Sequence, residues 1–372
     1  MASEAQVSLP PLVARRWSVA QWHEQACEWQ ALLTRSQADP LFLSFEWLSS
    51  WWSCFGDSLG QSPEVLAFYR GTQLAGLAPL YRQRVLRNGF LPAQSVQMMG
   101  LAWRDPEPLI SEYLDVIGAE ADLASLREAC VRQLLEDPAW SEFVIGFTAS
   151  GSEWRAAYQR CAGSERHYAR ELDRSVAYQA DLSCGFAAYL AGLEQSTRRS
   201  LWNLRHRLGG AGQVLLESVA QEGIGRAFQD LNRLHQLRWQ RPAFTGRRLR
   251  FHATLAEQLA ARGELALSRL HVAGDVVSVL YDIRKGRRQY NIEMAFDPAF
   301  SSRVSLGLIH LGYAMEAACE EGGVTLYDLL AGPGRANDYK RHLSQARRAL
   351  SCVQMLRGPL LPRLYRWRDR RR

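Results

Sequence analysis

Lysine is nearly missing from this chain: Lys285 and Lys340 are the only two, against 43 arginines in 372 residues. Cysteine pairs are missing as well. The seven cysteines, at 27, 54, 130, 161, 184, 319 and 352, are odd in number, scattered and without a C-x-x-C spacing. That excludes a zinc or disulfide framework and makes a reducing cytoplasm the expected setting, with no metal. No apolar run approaches the roughly 18 residues that cross a bilayer. Met1 to Leu12 lacks the basic start and apolar core of a secretory signal. The expectation is therefore a soluble cytoplasmic protein with no membrane span. With 47% hydrophobic and 22% charged residues, disordered and collagen-like chains are excluded. At roughly 150 residues per domain, the length suggests two domains.

Charge is present but unevenly placed. The net is +7. Residues 1–180 hold 15 arginines, no lysine and 21 acids, a net of −6, so the remainder carries +13. The segment Pro362–Arg372 alone has six arginines and one aspartate and reads as a frayed tail.

Punctuation is clearest in the second half. Leu265–Val272, Val276–Ile283 and Arg288–Phe296 read as three strands joined by turns at Ala273-Gly274-Asp275 and Lys285-Gly286. A helix from Ser305 to about Glu321 follows, with Leu308, Leu311, Met315, Ala318 and Cys319 on one stripe. Val324–Leu330 and Arg348–Leu356 read as further strands. The first half repeats this order faintly. A hairpin is expected at Glu64–Tyr69 and Gln73–Tyr81, a strand at Tyr113–Ile117, a helix over Ala121–Glu136 and a strand at Glu142–Phe147. Between them Ser183–Leu208 reads as one long helix, and Gly223–Arg238 and Leu249–Ala261 as two more. The spacing of Trp47, Trp51 and Trp52 suits core packing in a helix.

Two places could carry chemistry. Ser301-Ser302-Arg303-Val304-Ser305-Leu306-Gly307 joins a strand to a helix start, where free N–H groups and the dipole favour an anion such as a pyrophosphate. The bland alternative is that Ser305 only caps the helix and Arg303 is solvated. The equivalent first-half loop carries Glu120 and Asp122, which would repel a phosphate. Asp328 sits among apolar neighbours in a strand pattern, costly unless it is paired or hydrogen-bonded. It is either an ion pair with an arginine or a site carboxylate. Further on, Asp338-Tyr339-Lys340 sets a phenol that could donate a proton beside one of the scarce lysines.

The run Tyr327-Asp328-Leu329-Leu330-Ala331-Gly332 followed by Asp338-Tyr339-Lys340 resembles a signature of two-domain GNAT-fold acyltransferases. These are the BioF2-like or CelD-like (cellulose-biosynthesis-associated) group, related to the Fem peptidoglycan aminoacyltransferases. Phe45-Glu46-Trp47-Leu48, Leu77–Tyr81, Glu112–Val116, Arg198–Leu208, Leu237–Trp239 and Tyr290–Phe300 are similar to other pieces of that pattern, in order, over roughly residues 40–355. One departure is the stretch Pro333–Ala336, where an acid is expected shortly before Tyr339.

The resemblance implies an α+β (mixed α/β) fold of tandem GNAT-like domains, each a mostly antiparallel twisted sheet flanked by helices. Residues 1–175 would be a degenerate GNAT-like domain, 176–357 the domain with the acyl-CoA site, and 358–372 a basic tail. It implies acetyl-CoA or another acyl-CoA as co-substrate, held by Ser301, Ser302, Arg303, Ser305 and Gly307. Backbone N–H groups around Ile292 and Met294 would polarise the thioester. Asp115 and Asp328 become candidates to orient or deprotonate the acceptor, with Glu293 a third. Tyr339 is the candidate proton donor to the thiolate, and Lys340 could hold an anionic group of the substrate. The acceptor would be an amine of a small molecule or glycan precursor. DNA is not expected. A Fem-type, aminoacyl-tRNA-dependent transferase is the alternative, resting on Arg198, Trp202 and Arg205, although no counterpart of the Fem coiled-coil arm is found. A non-catalytic scaffold in polysaccharide assembly is another. The acceptor's identity, the acyl chain and the oligomeric state are not readable from the sequence.

Overall fold

The computed structural model describes residues 10–59, 63–102, 108–163, 166–300, 304–321, 323–331 and 337–371, without the side chains of Asn337 and Asp338. In chain order the elements are β1 (Leu12–Trp17), α1 (Val19–Glu24), α2 (Ala26–Thr34), α3 (Phe45–Leu59), β2 (Pro63–Arg70), β3 (Gln73–Arg87), β4 (Leu91–Met98), β5 (Ile117–Gly118), α4 (Leu123–Glu136), β6 (Glu142–Thr148), α5 (Gly151–Cys161) and β7 (His167–Asp181). Then come α6 (Phe186–Gly192), α7 (Gln195–Leu201), β8 (Val214–Ser218), α8 (Ile224–Trp239), α9 (Gly246–Ala260), β9 (Leu265–Val272), β10 (Asp275–Lys285), β11 (Arg288–Phe296), α10 (Leu306–Glu320), β12 (Leu326–Asp328), α11 (Asn337–Leu343), β13 (Ala346–Arg357) and α12 (Leu361–Asp369). Contacts divide the chain into two units, Met1–Arg174 with Leu350–Arg372, and Ser175–Ala349.

In the first unit β1, β2, β3 and β4 pair antiparallel in sequence order, β4 runs parallel to β6, and β6 pairs antiparallel with β13. Helix α3 buries Trp47, Leu48, Trp51 and Phe55 on one face. Trp51 and Phe55 stack at 5.8 Å, and Trp51 meets Tyr81 at 5.3 Å, so the tryptophans fill core. The expected strand Tyr113–Ile117 is mostly irregular, and only Ile117–Gly118 pairs, with Leu77 and Gly76. Tyr113 has φ +56°, and its N–H bonds Phe147 O rather than a ladder neighbour.

The last residues differ from the expected tail. From Leu350 on, the chain belongs with the first unit because Ser351–Leu356 adds a strand to β6. Beyond it α12 is helical: Leu361 and Tyr365 bury against Val85, Ala93 and Leu356. Burying these apolar groups outweighs the fraying that the arginine content suggested.

The second unit is a sheet in the order β8, β9, β10, β11 and β12, with the end of β7 against β12. All neighbours are antiparallel except β11 and β12, which are parallel. Strand alternation sends Leu280 into a core with Leu311, Met315 and Ala318 of α10. Its neighbour Tyr281 meets Phe228 of α8, at 5.2 Å, and His252 of α9. The expected long helix 183–208 is broken. Leu193 is extended (φ −80°, ψ 151°) after Gly192, and Trp202 (φ −133°, ψ −51°) ends α7 before a 3-10 stretch at Asn203–Arg207. The breaks let Leu190, Leu193 and Leu201 all reach the core that α10 covers. Gly312 of α10 allows that approach, because a Cβ there would lie 2.5 Å from Leu201 O. Among the described residues, no helix is long and apolar enough to cross a membrane.

Candidate active site

The parallel pair β11–β12 is short. Arg288, Gln289 and Tyr290 face Leu326, Tyr327 and Asp328, and there β12 ends. Strand β11 continues to Phe296, paired with β10 on one side only among the described residues. Asn291 opposes Asp282 and Glu293 opposes Tyr281, so Ile292 is the extra residue of a β-bulge at the point where the two parallel strands part. Past the bulge the N–H of Met294 donates to Oε1 of its neighbour Glu293, at 3.0 Å. A backbone donor on an unpaired strand edge is thus satisfied by a side chain. A ligand carbonyl could replace that side chain.

The start of α10 lies against the same stretch. A Cβ on Gly307 would meet the Phe296 ring at 2.7 and 2.8 Å and Met294 Cε at 3.0 Å. Ser305 is the N-cap residue, and its side chain makes no capping hydrogen bond among the described residues. Ser301, Ser302 and Arg303 lie outside the described residues.

Why β12 stops is local chemistry. Asp328 Oδ1 accepts from Leu330 N (2.9 Å), an Asx-type turn, and Leu330 takes φ +57°. Leu329 N then bonds Tyr178 O of β7, drawing the chain away from β11. Asp328 Oδ2 accepts from Gln179 Nε2 (2.8 Å), and the carboxylate is fully buried. Lys340 closes the turn from α11, its Nζ donating to the carbonyls of Leu329 (2.6 Å), Leu330 (3.2 Å) and Ala331 (3.2 Å). The Asp and Lys of the signature therefore meet on one segment, 328–331, and hold the splay of the two strands open.

Tyr339, next to Lys340, is mostly buried, and its hydroxyl makes no hydrogen bond among the described residues. Burial first, then the charge of Glu293, push its phenol up to about 12, while Arg238 works against them. Arg238, at the end of α8, lies 4.4 Å over the Phe296 ring and 4.8 Å over Trp239. Burial pushes its pKa down, opposed by the charges of Tyr339 and Glu293. Glu293, Met294, Phe296, Tyr339 and Arg238 thus surround the free edge of β11.

Sequence reasoning missed Asp282. It lies mid-strand on β10, fully buried, and accepts from Gln289 Nε2 (2.7 Å), Asn291 Nδ2 (2.9 Å) and the Tyr327 hydroxyl. Burial raises its carboxyl to about 6, with the three donors pulling it back. An acid inside the run Val276–Ile283 is the same signal that singled out Asp328. Arg238 had no such signal. Asp115 lies in the first unit, where Arg127 (2.6 Å), Trp154 Nε1 (2.9 Å) and Val116 N (2.8 Å) donate to it. No group of metal-ligating side chains occurs among the described residues.

A short parallel pair that splays, a bulge beside it and a helix start at the strand's end fit an acyltransferase domain of the GNAT kind, the class that the profile match shows for this part of the chain. Residues 195–341 match the family profile described as the acetyltransferase (GNAT) domain, so the second unit carries that domain. Among solved structures the chain is similar to FemX, with TM-score 0.59 and 11% identity over 92% of this chain and 98% of that one. It is also similar to a conserved protein of unknown function from Bacteroides thetaiotaomicron, with TM-score 0.56 and 12% identity over 93% and 100%. L-PGS from Bacillus licheniformis gives TM-score 0.50 and 11% identity over 92% and 95%. At these identities the likeness is one of fold. No curated protein matches the sequence.

Proposed function

We propose that the protein is an acyl-CoA-dependent N-acyltransferase that acylates an amine of a small molecule or a cell-surface polysaccharide precursor. The observation that carries this reading is the edge of β11 beyond Ile292, where, among the described residues, the Met294 N–H is met by the Glu293 side chain. The thioester supplies an electrophilic carbonyl. In the proposal the N–H groups at Ile292 and Met294 receive its oxygen as negative charge develops, a role worth a few kcal/mol per donor. Displacing Glu293 from Met294 frees its carboxylate to take the amine proton, and Tyr339, which keeps its proton through neutral pH, protonates the departing thiolate. Ser301, Ser302, Arg303, Ser305 and Gly307 belong to the proposal as the pyrophosphate's holders. Asp328 and Lys340 act by fixing the splay.

Acetyl-CoA and CoA at millimolar concentration should raise the melting temperature, and Arg303→Glu should shrink that shift. No shift with either ligand would sink the reading. Arg205, stacked 3.9 Å over Trp202, favours a second reading in which the donor is an aminoacyl-tRNA. It predicts steeply salt-dependent tRNA binding lost on charge reversal at Arg198 and Arg205.

A further inference from the structure

Helix α12 has two different faces. Leu361 and Tyr365 are buried with Val85, Ala93 and Leu356. Around them the fastening is polar. Arg170 donates to both carboxylate oxygens of Asp369 (2.7 and 2.8 Å), the Tyr168 hydroxyl adds a third bond, and Arg366 donates to His167 O (2.6 Å). Asp369, the one acid of the helix, is consumed by these bonds. The other stripe is i, i+4, i+7, i+8 from Arg363: Arg363, Trp367, Arg370 and Arg371, preceded by Leu360. Arg363, Arg368, Arg370 and Arg371 are exposed and make no ion pair among the described residues. Trp367 is 54% exposed and Leu360 66%. Arg371 lies 3.9 Å over the Trp367 ring, and the stripe lines an open hollow of about 300 Å³. Phe90, 71% exposed, is at the turn of the β3–β4 hairpin on which α12 sits.

We propose that this stripe seats the protein on an anionic lipid surface, with the arginines on headgroup phosphates and Trp367 and Leu360 at the headgroup–acyl boundary. A guanidinium pairs bidentately with a phosphate diester, and tryptophan favours the level where one end is apolar and the other wet. The exposed Leu360 beside the stripe favours lipid over RNA, because an aliphatic side chain neither stacks on a base nor pairs with a phosphate. With the one acid consumed and Arg363, Arg370 and Arg371 of the stripe making no ion pair among the described residues, the charge complements an anionic leaflet.

The test is co-sedimentation of the full chain with vesicles of phosphatidylcholine alone and of phosphatidylcholine with phosphatidylglycerol, with tRNA added as competitor. Binding only to the anionic vesicles, weakened by salt, is expected. Trp367→Ala and the triple variant Arg363→Glu, Arg370→Glu, Arg371→Glu should each lower partitioning by roughly tenfold or more at unchanged melting temperature. Three results would overturn the proposal: no difference between vesicle types, binding that survives both variants, or tRNA binding without vesicle binding.

Discussion

Asp282 allows a test of how burial sets the stability of the catalytic domain. Its carboxyl is raised from the ordinary 3.8 to about 6 by burial, so the folded state holds a proton that the unfolded state releases earlier. Stability tied to this group is fully present below pH 3.8 and is lost as pH rises through 6. A rise of that size corresponds to about 3 kcal/mol, of which about 2 kcal/mol is lost between pH 4.5 and 7.5. Asp282→Asn removes the titration. It also points an amide NH₂ at one of the donors Gln289, Asn291 or Tyr327, so the variant is less stable at every pH. That offset is constant, whereas the titration is not. Urea unfolding of both proteins across the pH range should therefore show the wild type losing about 2 kcal/mol relative to the variant as pH rises. A flat difference, or one of opposite sign, would refute the claim that burial outweighs the three donors.

The other predictions concern the site and the packing that supports it. Lys340→Met removes the ammonium that donates to the buried carbonyls of Leu329 and Leu330. Each buried unsatisfied group costs about 1–3 kcal/mol, so thermal unfolding should come well below the wild type and turnover should fall. An unchanged midpoint would show that the lysine is not a structural clamp. Gly312→Ala forces Cβ to 2.5 Å from Leu201 O and should cost about 1–3 kcal/mol in a denaturant titration. Tyr339→Phe should lower kcat by one to two decades. Because the phenol lies near 12, the wild-type rate should show no alkaline loss from it below about pH 10. Asp115→Asn disturbs the bonds from Arg127 and Trp154, so a fall in melting temperature with kcat retained would give it a folding role alone.

Apolar runs bounded by glycine or acidic turns made β9, β10 and β11 legible, and a helical stripe made α10 legible, whereas the bulge at Ile292 left no mark in the pattern. The same reasoning joined residues 183–208 into one helix. A stripe of leucines spaced for one helix also suits two short helices turned at Gly192, when α10 must come within reach of Leu201. Tertiary packing decides between them, and it leaves no local mark. The tail failed for a related reason: six arginines outweigh Leu361 and Tyr365 in composition, yet those two residues, with Asp369 held by Arg170, decide whether the segment folds.

At the site the outcome is more instructive. Asp328 and Lys340 stand out in the sequence through an apolar setting and through scarcity: Asp328 is open between an ion pair and a site carboxylate, and Lys340 could hold an anionic group of the substrate. Their bonds instead run to Leu330 N, to Gln179 and to three consecutive carbonyls. In the proposed reaction these two signature residues serve by making one strand leave another at a fixed place. A backbone donor such as the Met294 N–H has no letter of its own in a sequence. What the sequence does show is the aspartate and the lysine that turn β12 aside, while the residue extra to the ladder at Ile292 emerges only from the register of β10 against β11.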